Sequence, residues 1–191
     1  MGDYVQNAAD ANGYQSDPIG VGSIVFDTTS GTTGGATTRI FVSVATVTGS
    51  SVYVSNNAGS TWTAVAGQPT GRFPHRMKLS PSEKLLYITY SNTAGPYDAG
   101  DGKVYKYAIA TSTWTDITPA WQAANSLTFG YGGLAIDAKA PGTLMVAADN
   151  LWYPDVQIFR STNSGASWTT IWDYNDNHYT QNVSSIHTRK T

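Results

Sequence analysis

Cysteine is absent from the 191 residues, which excludes a disulfide framework and any thiolate metal site. Charge is scarce. Asp, Glu, Lys and Arg make up 13% of the chain and the formal net charge is −2, so the basic footprint of a nucleic-acid binder is missing. Glutamate is almost missing too: Glu83 is the only one, and the other twelve acidic residues are Asp. No apolar run approaches the roughly 18–20 residues that span a membrane. His75, His178 and His187 are too scattered for metal-ligand spacing, and there is no nucleophile elbow, phosphate loop or dinucleotide fingerprint. Neither a metal nor any other cofactor is therefore expected. The N-terminal residues hold no basic segment followed by an apolar stretch, so no signal peptide is expected within them.

What is abundant points elsewhere. Aromatics reach 12%, with Tyr 12 and Trp 6, and Gly numbers 19. Low charge with many Tyr and Trp is the composition of secreted, carbohydrate-active proteins, so an extracellular location is expected. Few charged helix formers argue for strands and tight turns over helices.

The chain repeats. Ser55-Asn56-Asn57-Ala58-Gly59-Ser60-Thr61-Trp62 recurs as Ser161-Thr162-Asn163-Ser164-Gly165-Ala166-Ser167-Trp168, each copy between two alternating strands. Asn and Gly tolerate the positive φ that such a hairpin turn needs. A degenerate third copy ends at Trp114, and each hairpin is preceded by another strand pair: Ser23–Asp27 with Arg39–Ala45, Met77–Ser80 with Leu85–Ser91, and Gly133–Asp137 with Thr143–Ala148. Four short strands recurring at this interval make one propeller blade. The expected fold is all-β: three four-stranded antiparallel blades at about 19–66, 72–118 and 128–172, between a polar lead-in (1–18) and a polar tail (173–191). Propellers close with roughly four to eight blades. Three blades are an incomplete ring, so the expected partner is the remaining propeller or another copy of this chain.

The Ser-x-Asn-x-Gly-x-x-Trp turns resemble the Asp-box of sialidase-type propellers, with Asn57 and Asn163 where Asp is usual; that motif's role is structural. A more specific resemblance rests on Leu86–Gly100 with its Gly95-Pro96-Tyr97-Asp98 segment, on Asp17–Ser23, on Phe129–Asp137, and on Trp152-Tyr153-Pro154-Asp155 running into Val156–Thr162. Over about residues 17–172 the chain is similar to glycoside hydrolase family 74, the xyloglucan-active endo-glucanases and oligoxyloglucan-specific hydrolases.

The resemblance implies two seven-bladed propellers with a cleft between them, cleaving β-1,4-glucan backbones with inversion. It implies two catalytic Asp residues, one from each propeller. The general acid falls on Asp98, followed by Ala99 where the family usually has Gly. The base belongs to an Asp-Ile-Gly-Gly segment that these residues lack, which places the chain in the second propeller. By residue chemistry alone, Asp98 reads as a turn cap in Pro96-Tyr97-Asp98-Ala99-Gly100; the catalytic role is what the resemblance implies. An inverting glycosidase nevertheless needs an acid and a base roughly 6.5–9.5 Å apart, and a Gly/Pro loop between strands is where such a group sits. Aromatic faces pack on sugar rings. Tyr97, Trp121, Tyr131, Trp152 and Tyr153 fall in predicted loops, and with Asp155 they are the candidate substrate contacts. The implied ligand is xyloglucan or a related β-glucan oligosaccharide. A non-catalytic, glycan-binding or self-associating propeller remains the alternative.

Overall fold

A computed structural model describes residues 20–95, 99–120, 129–149 and 157–173. Regular structure in those segments is strand throughout. The first sheet holds β1 (Val21–Phe26), β2 (Ile40–Val44), β3 (Val52–Ser55) and β4 (Thr63–Ala64). The second holds β5 (Phe73–Ser80), β6 (Leu85–Ser91), β7 (Gly102–Ala108) and β8 (Thr113–Asp116). The third holds β9 (Gly130–Ile136), β10 (Leu144–Asp149), β11 (Gln157–Ser161) and β12 (Thr169–Asp173). Each is an antiparallel meander in chain order, which is a propeller blade. β5 contacts both β1 and β9, so these three strands form the inner rim.

Alternation along β6 shows why the blades stack. Leu86, Ile88 and Tyr90 point into one core with Phe41, Val52 and Val65 of the first blade. Tyr87 points the other way, into a second core with Phe129, Leu144, Val146 and Phe159 of the third. A strand of period two buried on both faces reads as an almost continuous apolar run, and Leu-Leu-Tyr-Ile-Thr-Tyr is such a run.

The repeated turns have matching hydrogen bonds. Asn57 Oδ1 accepts from Ser55 Oγ (2.9 Å) and Thr61 N (2.8 Å); Asn163 Oδ1 accepts from Ser161 Oγ (2.9 Å) and Ser167 N (2.9 Å). Ala58 and Ser164 take φ of 56° and 57°, each followed by a glycine that is also left-handed. The tryptophans closing the second and third hairpins reach across to the preceding blade. Trp114 Nε1 donates to Ala66 O (3.0 Å), and Trp168 Nε1 to Ile117 O (2.7 Å).

A second set of ties joins the blades through the β5–β6 turn. Lys84 extends to Thr29 Oγ1 and lies 3.9 Å from Asp27 of the first blade. Glu83, its neighbour, accepts from Ser164 Oγ of the third. Among the described residues, large exposed apolar side chains are Val21, Ile24 and Phe26 on β1 and Ile171 on β12, in the two outer blades.

The inner strands are longer than the sequence pattern suggests. β5 begins at Phe73, where the alternation reads a start at Met77, and β9 at Gly130, where it reads Gly133. Both carry a bulge that breaks the alternation: Pro74 pairs with Tyr90 and Arg76 with Thr89, leaving His75 as the extra residue, and Gly132 is extra in β9. The same irregularity falls at Gly22 in β1.

Candidate active site

The loop between β6 and β7 is anchored at both ends. Asn92 N donates to Asp101 O (2.8 Å), and Asp101 N donates back to Asn92 Oδ1 (2.9 Å). Thr93 Oγ1 donates to Gly95 O (2.6 Å), tightening the ascending limb. On the descending limb Ala99 has no exposed surface, and its carbonyl accepts from Gly130 N of the third blade (2.6 Å). That approach needs glycine: a Cβ on Gly130 would lie 2.2 Å from Ser91 Oγ. Arg72 holds Asp101 through its Nε (2.9 Å) and Nη2 (2.6 Å), so Asp101 is an ion-pair partner at the loop root. Asp137, by contrast, caps its own turn by accepting from Lys139 N (2.8 Å).

Beside Gly95 lies a cleft of about 440 Å³, walled by His75, Arg76, Ala94, Gly132, Gly133, Ala148 and Asp149. Its size suits a small ligand or a sugar unit. Its polar wall is a pair. His75 Nδ1 stands 3.6 Å from Asp149 Oδ2, and His75 Nε2 lies 2.9 Å from the Thr93 carbonyl. Asp149 Oδ2 is itself buried and has no hydrogen-bond donor. Gly132 makes the room, since a Cβ there would sit 2.9 Å from Asp149 Cγ.

The structure brings one sequence-predicted site residue into view, and it is not in the cleft. Tyr131 has no exposed surface; its ring packs edge-on against Phe129 at 5.4 Å and against Phe159 at 6.2 Å. Burial, with the Asp116 carboxylate adding to it, pushes its hydroxyl well above the ordinary tyrosine range. Both ring faces are committed to protein, so Tyr131 is a core residue and offers no platform to a sugar. The Phe-Gly-Tyr-Gly-Gly run reads as a loop by its glycines, yet it is the bulged start of β9. Asp98, Tyr97, Trp121, Trp152, Tyr153 and Asp155 lie outside the described residues.

His75 and Asp149 are what sequence reasoning missed. No local signal marked His75: it is the one bulge residue of three with a side chain, Gly22 and Gly132 being its counterparts, and a bulge is defined by the partner strand. Among the described residues, no group of three His, Asp or Glu side chains is close enough to share a metal ion.

No protein-family model matches the chain. Curated relatives do. The chain is 56% identical over 171 residues to a xyloglucanase of Hypocrea jecorina, covering 90% of this chain and 20% of that protein. It is 49% identical over 189 residues to a xyloglucanase of Paenibacillus, covering 96% of this chain and 18% of the relative. Among solved structures, the family 74 xyloglucanase of Xanthomonas campestris superimposes with a TM-score of 0.73 at 35% identity, covering 80% of this chain and 21% of that one. The family 74 enzyme of Niastella koreensis gives 0.70 at 34% identity, covering 86% and 24%. The chain thus spans about a fifth of the length of the curated relatives it matches.

Proposed function

This chain belongs to glycoside hydrolase family 74, and from that premise we propose that it contributes the general-acid side of a xyloglucan-cleaving active site. The observation that carries the proposal is the anchored β6–β7 loop: Asn92 and Asp101 close its root, and Gly95 lines a sugar-sized cleft. Asp98, three residues beyond Gly95, protonates the glycosidic oxygen as the bond breaks. Water, activated by a carboxylate from outside these residues, attacks the opposite face and inverts the anomeric centre. Tyr97, Trp121, Trp152 and Tyr153 supply ring faces for glucosyl units, and Asp155 a hydrogen-bond acceptor. The substrate is a bulky polymer, so the site of action is extracellular. Ile24, Phe26 and Ile171 are 60%, 54% and 47% exposed, which supports further blades, or another copy, packing on the outer two.

The test is hydrolysis of xyloglucan by the full-length protein and its Asp98→Asn variant, followed by reducing ends. Loss of about 10²–10⁴ in kcat is expected of a general acid, with the first-formed sugar in the α configuration. Equal activity of the two proteins sinks the assignment of Asp98, and two inert proteins leave the non-catalytic, glycan-binding reading. A β product sinks inversion.

A further inference from the structure

We propose that His75 is a positioning residue for hydrolysis, a clamp between the root of the β6–β7 loop and the end of β10; this rests on the reading that the β6–β7 loop carries the acid.

Its place in the fold is the first reason. The three inner strands each bulge at the same register, at Gly22, His75 and Gly132. In two blades the extra residue has no side chain. In the middle blade it is an imidazole aimed into the cleft, and bulges re-aim side chains in this way beside functional sites.

Its contacts are the second. A carbonyl oxygen only accepts, so the 2.9 Å contact to Thr93 O places a proton on Nε2. The other nitrogen, Nδ1, then faces a carboxylate oxygen that is buried and lacks any hydrogen-bond donor. A neutral ring in this tautomer would turn its lone pair toward that oxygen. With Nδ1 protonated, both arms attract, and one ring ties two strand ends that flank the cleft. Thr93 sits two residues before Gly95, and Asp149 is the last residue of β10.

Among the described residues, little else charged faces the ring. Arg76, the next residue of β5, lines the same cleft and donates to the His75 carbonyl (3.2 Å). β1, β2, β6 and β9 contain no charged residue, and the tyrosines Tyr90 of β6 and Tyr131 of β9 lie in the cores. The Asp149 arm therefore depends on a proton at Nδ1, and the Thr93 arm does not.

Two measurements on the full-length protein decide it. Long-range ¹H–¹⁵N spectra of the imidazoles should show His75 carrying a proton on Nε2 in its neutral form as in its charged form. An Nδ1–H tautomer, or a mixture, overturns the clamp. On xyloglucan, His75→Ala should lower kcat about ten-fold or more with little change in KM, because a displaced loop mispositions the acid without removing sugar contacts. His75→Gln keeps an N–H for Thr93 and should recover part of that loss. A His75→Ala enzyme with wild-type kcat overturns the proposal. A wild type inert on xyloglucan removes the hydrolase reading, while the imidazole spectra still decide whether the clamp exists.

Discussion

Trp168 shows how one side chain carries two duties. Its ring packs against the second core, and its indole N–H donates to Ile117 O at 2.7 Å, a carbonyl of the preceding blade. The first duty is visible in a repeat, because large aromatics at a fixed interval mark a packing layer. The second is invisible there, since nothing local says which carbonyl an indole will meet. Trp168→Phe keeps most of the ring and removes the donor. Urea unfolding should report a loss of about 1–2 kcal/mol, from the orphaned carbonyl and the smaller ring together. Tyr131 is the counter-case: its glycine neighbours suggest a loop, and only the pairing of Tyr131 with Ala148 across β9 and β10 reveals a strand.

Elements were legible wherever their determinants were local. The turn after β3 and the turn after β11 use the same Ser, Asn and Gly in the same roles, and those roles depend only on neighbours within four residues. Replacing Asn163 by Asp should therefore leave stability within about 0.5 kcal/mol. The carboxylate still accepts from Ser161 Oγ and Ser167 N, and the Ser167 hydroxyl rotates from accepting to donating. Asn163→Ala removes both acceptor contacts and should cost about 1–2 kcal/mol, read by the same unfolding experiment. The bulges of β5 and β9 were not legible, because an extra residue is defined by the partner strand and not by the strand itself. The His75–Asp149 pair was hidden for the same reason, bridging two blades across 73 intervening positions of sequence.

At the scale of the molecule, acid is the natural probe of blade-to-blade ties. Burial alone would raise the pKa of Asp27, but hydrogen bonds from Thr29 and the charges of Lys84 and Arg39 outweigh it and hold the group below the ordinary 3.8. Glu83 likewise lies below its ordinary 4.5, burial being overcome by hydrogen bonds from Ser164, Ser80, the Gly142 amide and Tyr87. Asp116 follows, with Thr118 and Lys103 overcoming its burial. In each case the unfolded chain holds the proton more tightly than the folded one. Their contribution is therefore full above about pH 4.5 and drains away as pH falls through the lowered folded values. Tm measured from pH 6 downward should stay nearly flat to about pH 4.5 and then drop. Glu83→Gln should lower the plateau and make the drop shallower. A wild-type Tm that rises on acidification contradicts the sign. The hydroxyl of Tyr87, pushed up to about 12 by burial and by the Glu83 charge, stays neutral throughout.

The β5–β6 turn has one further consequence. Blades built on a common plan offer their neighbours surfaces of similar shape, so shape alone says little about which blade sits on which side. Across the blade boundaries, Lys84 reaches toward Asp27 and Thr29 of the first blade, and Glu83 toward Ser164 and the Gly142 amide of the third. Two adjacent residues of opposite sign thus give the middle blade two different addresses, a cation that meets the Asp27 carboxylate on one side and a carboxylate that meets hydrogen-bond donors on the other.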